Sequence, residues 1–244
     1  HRGAYRCHLC KGALMLPGMP KPSIQRRRPF VASVGALGVA ANSVSVPLPA
    51  DWRAGDMLVG VMATEVGFAT WDGTYATDGD WGHNGEGLAG NGFGSSSIRL
   101  EVKGRQATGS EAAITAALNS SPVSGRIISV RDGSFAGTMF AKAQGSGTSA
   151  AIPSVTTTAD NCLLLVFAAF STTAAFGGLA NPNIGSSITQ MQKLFEDPTT
   201  VDDDQTFVCW AGWQKAAGPV GTFTVTNPAN GNYGAVCYSI PLLG

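Results

Sequence analysis

Apolar and polar positions alternate along most of this chain, and one pattern of alternation occurs twice. Ser43–Val66 reads SVSVPLPADWRAGDMLVGVMATEV, and about a hundred residues later Ser154–Ser171 reads SVTTTADNCLLLVFAAFS. Each copy opens on alternating Ser, Val and Thr. Each then turns through a polar hinge, Gly55-Asp56 or Asp160-Asn161, and closes on an apolar run, Met57–Ala63 or Cys162–Ala169. An alternating segment predicts a half-buried strand, and a short apolar run bounded by turn residues predicts a strand buried on both faces. The repeat therefore predicts two matching portions of a β-sandwich.

The same reading continues along the chain. Val31–Val46 predicts a first strand, Pro47–Trp52 a turn and Met57–Thr64 a core strand. Gly67–Gly94, rich in Gly, Asp, Trp and Asn, predicts a long loop with one short hairpin. Ser96–Lys103, Ile114–Leu118 and Arg126–Arg131 read as strands, with Ser120–Gly125 as a loop. Ala141–Ala151, rich in Gly, Ser and Thr, reads as a connector, and Thr172–Pro198 as a second long loop. Gln205–Gln214, Gly221–Thr226 and Tyr233–Leu242 complete roughly ten strands. Gly, Thr and Val crowd the apolar segments, so helix is poorly supported, Ala-rich Glu111–Leu118 being the exception. The expected architecture is all-β, an antiparallel jelly-roll-like β-sandwich over residues 31–244 with an extended N-terminal arm over residues 1–30.

Composition supports that picture. The 244 residues suffice for one large β domain, and 44% hydrophobic content supplies a core. Charged residues are only 13% and glycines number 32, which fits short strands and tight turns better than a helical bundle. The formal net charge is zero. A neutral surface suits a protein covered by neighbours in a homo-oligomer or larger assembly, and it gives no support to a nucleic-acid partner. No apolar run reaches the roughly 18 residues of a membrane span and no secretory leader is evident, so synthesis in a cytoplasm is expected.

The arm stands apart. His1–Phe30 carries Arg2, Arg6, Lys11, Lys21, Arg26, Arg27 and Arg28, four prolines and no acid. It cannot build a core of its own and reads as an extended clamp on a neighbour. Whether residues 1–18 belong to the mature chain is left open by the sequence.

These residues together resemble a β-sandwich module of tailed-bacteriophage virion proteins. The resemblance rests on Ser43–Pro47, then Gly55–Val59, a tryptophan loop at Trp71-Asp72-Gly73, and Lys103–Gly109. It continues through Ile127–Gly133, Pro153–Thr157, Gly212–Gly218 and Thr222–Thr226. It covers roughly Ser33 to Leu242 and leaves the arm without a counterpart. It implies a capsid-associated decoration or cement-type protein, assembled in the host cytoplasm into the virion, with other virion proteins as partners. The alternative it implies is a tail-fibre or spike adhesin that binds host-surface glycans.

Candidate chemistry is sparse. Cys7-His8-Leu9-Cys10 is half of a zinc site, and the second pair of ligands is missing from the sequence. Asp72, Asp78, Asp80 and Glu86 do not follow the order of a calcium loop. Asp202-Asp203-Asp204 reads as a solvated turn or as a contact for a neighbour's Arg26, Arg27 and Arg28. No nucleophile elbow is present and His83 is the one His outside the arm, so neither an enzyme nor a cofactor or metal is expected. Cys162, Cys209 and Cys237 read as buried reduced thiols, with a Cys209–Cys237 bridge left open. Trp71, Tyr75 and Trp81 cluster in the long loop, where rings either stack on sugars, fill an interface or plug one end of the sandwich. Trp210 and Trp213 lie three apart in one strand, which places them on opposite faces.

Overall fold

The computed structural model describes residues 28–41, 43–64, 70–71, 89–91, 98–111, 113–117, 123–199 and 205–244. Seventeen strands and no helix occur among them. Every named strand pair is antiparallel. The chain is an all-β antiparallel sandwich.

The two apolar runs predicted to be core strands form its centre. β4 (Met57–Thr64) and β12 (Cys162–Phe170) are buried at every position. An antiparallel strand normally alternates because one face meets water; neither of these does, so each reads as a continuous apolar run. β4 lies between β7 (Ile98–Gln106) and β9 (Val123–Arg131), and β12 lies between β15 (Gln205–Gln214) and β17 (Phe223–Ile240). Beyond them, β6 (Ala89–Asn91) extends β7, and β14 (Gln192–Thr199) extends β15. On the opposite side β1 (Phe30–Val34) and β2 (Gly38–Ala40) share β9, while β10 (Met139–Ile152) runs along β17. The two main sheets thus have one connectivity, 1-9-4-7-6 and 10-17-12-15-14. The likeness extends outward. β3 (Ser43–Val46) pairs with β8 (Ile114–Ala117), as β11 (Thr156–Thr157) pairs with β16 (Gly218–Pro219). The halves part at the next strand: β5 (Thr70–Trp71) adds to β8 in the small sheet, whereas β13 (Gly178–Ala180) adds to β17 in the main one. The sequence repeat is therefore a repeat of topology.

The hinges match as well. Gly55 and Asn161 each precede a central strand and each holds a left-handed backbone, at φ 87° and 57°. Glycine takes that conformation without strain, and Asn is among the few side chains that tolerate it.

The two main sheets face each other across a shared core. Met57, Val59 and Val61 from one sheet meet Leu163, Leu165 and Phe167 from the other. Leu58, Met62 and Ile127 face outward, where Val44 and Val46 of β3 cover them. Leu164, Val166 and Phe170 face the opposite way, under Val155, Phe176 and Ile188. Each fully buried side chain of this size contributes about 1.5–3 kcal/mol of apolar transfer free energy. Glycine sets the spacing at one point of the seam. A Cβ on Gly104 would sit 2.8 Å from the hydroxyl of Tyr238 and 2.7 Å from Met57 Cε.

Several expected boundaries are revised. The single strand expected over residues 31–46 is three short ones, because Gly35 N turns in to donate to Ile127 O (2.7 Å) and the pairing with β9 shifts at residues 31–33. β9 starts at Val123, inside the expected loop over residues 120–125. Within the Ala-rich stretch from residue 111 to 118, β8 spans Ile114–Ala117, in line with the strand expected at Ile114–Leu118. Residues 141–151 are not a connector: they lie within the fourteen-residue strand β10, whose small exposed side chains need no apolar signature at a sheet edge. The loop expected at 172–198 contains β13 and most of β14. The two strands expected at 221–226 and 233–242 are one, β17. Residues 227–230 bulge out of its ladder with β10, and Asn227 Oδ1 accepts from Ala229 N (2.9 Å) to shape the excursion. Turn residues there mark a bulge rather than a strand end.

Candidate functional site

The one part of the arm within the described residues is its junction with the sandwich. Trp213 of β15 is half-buried against the shared core, and its backbone is held by Thr189, whose Oγ1 accepts from Trp213 N (2.8 Å). Its Nε1 donates to Pro29 O at 2.6 Å, and the Arg28 guanidinium stacks 4.2 Å above its ring. A cation at this distance from an indole face is an attractive electrostatic contact. The last two residues before β1, which belongs to the first sheet, are thus fixed to a strand of the second. Trp210 faces the other way, into the core that covers the outside of the second sheet, so the two tryptophans divide between the faces as their spacing predicts. Nothing in the local sequence marks Trp213 as the residue that meets the arm.

Polar groups hold the first hinge. Asp56 is buried and its carboxylate gathers three partners. Arg53 N and Ser129 Oγ donate to Oδ2 at 3.0 and 2.8 Å, and Arg131 donates to both oxygens at 3.3 Å. Arg131 also reaches Asp51 O (2.8 Å). Gln106 ties the same corner together, donating to Gly55 O and Gly133 O while accepting from Phe135 N. The expected Gly-Asp turn is thus an anchor for three segments of chain.

A second polar group joins the two sheets. Arg126 of β9 forms a two-pronged ion pair with Asp197 of β14 at 2.5 and 2.7 Å, and donates to Gly35 O at 2.6 Å. Its guanidinium lies 5.2 Å from the Phe195 ring centre. Gln205 Nε2 donates to Ser124 Oγ between the same sheets (2.9 Å). Such forks add geometric specificity to charge, and here they fix how the sheets sit on each other. The partners are distant in sequence, which is why no local motif reveals them.

Glu111 closes the turn after β7. Burial of the carboxyl works to raise its pKa, but hydrogen bonds from Thr108 N, Gly109 N and Thr108 Oγ1 outweigh it and hold it below the usual value. Arg105 adds an ion pair at 3.2 Å.

The remaining candidates divide clearly. Arg26, Arg27, Tyr75, Trp81, the Cys7–Cys10 pair and Asp202–Asp204 lie outside the described residues. Trp71 is placed by its backbone alone, on strand β5 at the edge of the small outer sheet beside β8 and β3. Cys162, Cys209 and Cys237 are free thiols and buried. A Cys209–Cys237 bridge is excluded, since β12 runs between their strands and the two side chains enter different cores. Burial pushes all three thiols up, Cys237 to about 12. They are therefore poor nucleophiles and metal ligands as they stand. Among the described residues, no group of three or more His, Cys, Asp or Glu side chains could hold a metal ion, and no helix is long and apolar enough to cross a membrane. No protein-family model, curated protein or solved structure matches the chain.

Proposed function

We propose that this chain is a non-enzymatic structural protein of a phage-type virion, attached to neighbouring capsid subunits as a decoration or cement element. The observation that carries this reading is the anchoring of the basic arm. Arg28 and Pro29 are pinned on Trp213, so whatever force the arm bears is delivered to both sheets at once. Both main sheets are covered on both faces within the chain, which leaves edges, end loops and the arm to make outside contacts. The strand order also supports a finer architectural reading. Each half would be one jelly-roll-like unit, the two packed back to back through their larger sheets.

Mass spectrometry and immunogold labelling of gradient-purified particles test this reading. The chain is expected on the capsid shell, in amounts that fall when Arg26, Arg27 and Arg28 are changed together to Glu. Particles that lack the chain altogether would end the proposal.

One observation favours a second reading, a glycan-binding tail fibre or spike. β5 places the backbone of Trp71 at the edge of the small outer sheet, and the sequence that follows it carries Tyr75 and Trp81. Glycan-array binding that disappears in Trp71→Ala and Trp81→Ala variants would move the assignment to that class.

A further inference from the structure

β1 is held less firmly than the core strands it lies beside. It has five residues, each exposed or half-buried, whereas every residue of β4 is buried. Val31 and Val34 lean on the shared core from those half-buried positions. The ladder with β9 is broken between Val31 and Ser33, where Ala32 is the extra residue. Ser33 Oγ is buried without a hydrogen-bond partner, a desolvation cost that opening of the strand removes. Among the described residues β9 is the only partner strand of β1. Segments with few buried apolar contacts are the ones that open locally while the rest of a fold stays closed.

The two ends of this segment are fixed in different ways. At the front, Arg28 and Pro29 meet Trp213 of the other sheet through one hydrogen bond of 2.6 Å and one guanidinium stacked at 4.2 Å, and Arg28 is itself exposed. At the back, Gly35 is buried and tied through both of its backbone groups. Its N donates to Ile127 O at 2.7 Å, and its O accepts from Arg126 at 2.6 Å, the same Arg126 that Asp197 holds. A Cβ on Gly35 would lie 2.7 Å from Pro47 O, so the backbone is also closely packed there. The front contact is lost without disturbing either sheet. The back contact moves only if the joint between the sheets gives way.

We propose that Arg28–Val34 is a releasable strap, clasped on Trp213, which peels from β9 as a unit and stops at Gly35. Its opening frees a segment that, at ~3.3 Å per residue, extends the base of the basic arm by about 23 Å. The first sheet survives the opening, because β9 keeps β4 and β2 as partners. The clasp is the first contact that a pull on the arm meets. A neighbour that binds the arm in its extended form therefore shifts the strap toward the open state. That last step rests on the structural-protein reading; the opening itself is a property of the free chain. Exchange is measured on the free chain and incorporation on particles, so the two readings fail separately.

Residue-resolved amide hydrogen exchange on the full chain, at low urea concentrations, tests the strap. Amides of β1 are expected to exchange at least about a hundredfold faster than those of β4 and β12. Their rate should hardly change with urea, the mark of an opening that exposes little surface. Arg28→Ala removes the cation and Trp213→Phe removes the indole donor, and each should speed β1 exchange a further threefold to tenfold or so, roughly the worth of one such contact. Protection of β4, β12 and residues 38–40 should stay as in the wild type, which also shows that both variants are folded. Amides of β1 as protected as those of β4 overturn the proposal, as does a clasp variant that speeds all three strands alike. So does β1 exchange that neither variant alters. Exchange that spreads from β1 into residues 38–40 removes Gly35 as the stop and overturns it as well.

Discussion

The two halves of this molecule share a strand order but fix their hinges with different chemistry. In the first half a buried carboxylate does it: Asp56 collects Arg53 N, Ser129 and Arg131 behind the left-handed Gly55. In the second half no carboxylate is buried at the equivalent turn. There Asn161 takes the left-handed conformation, Cys162 Sγ donates to Ala159 O (3.2 Å), and Asp160 accepts from Ala217 N (2.9 Å). The edges differ in the same way, with β1 and β2 broken where β10 is continuous. Topology is thus set by what both halves keep, two apolar strands buried on both faces. The polar details of the hinges are interchangeable so long as the polar groups buried there find partners.

The shared core is where the halves depend on each other most. Phe167→Ala removes a fully buried ring from the seam and should cost about 3–5 kcal/mol, read from the urea midpoint. Because the seam joins both halves, the unfolding transition should shift as a whole; two separate transitions would mean that the halves are energetically independent. Asp197→Ala leaves Arg126 half-buried without its carboxylate and should cost about 2–3 kcal/mol. Replacing both partners together should cost less than the sum of the single changes, in a double-mutant cycle.

The hinges sharpen the comparison. Asp56→Asn keeps the size of the side chain but removes the charge that Arg131 faces, for an expected loss of about 1–2 kcal/mol. At the other hinge Asn161→Gly should be nearly neutral, since glycine takes the left-handed backbone readily. Equal losses at the two sites would show that the hinges are held alike after all. The smallest effect concerns Glu111. Its folded-state pKa is depressed, so its contribution to stability is full above the ordinary carboxylate range and is lost as the pH falls through the folded value. The acid-side decline of the urea midpoint should flatten slightly in Glu111→Gln.

The central strands were legible because burial on both faces leaves a short uninterrupted apolar run. Met57–Thr64 and Gln205–Gln214 coincide with β4 and β15 residue for residue. β10 was not legible, because an edge strand is free of the demand for branched or aromatic side chains and its Gly and Ser residues imitate a linker. The sequence of β17 resembles two strands because Asn227-Pro228-Ala229-Asn230 carries turn chemistry, used here for a bulge. Of the site, the Gly-Asp hinge and the opposed tryptophans could be read directly. The Arg126–Asp197 fork and the meeting of Trp213 with Pro29 could not, since their partners are brought together only by the packing of one half on the other.

The fit of Gly104 against Tyr238 has an evolutionary corollary. With such a seam between them, neither half can change alone. A methyl group gained on one side has to be offset by volume shed on the other, so tolerated substitutions along that line are expected in matched pairs.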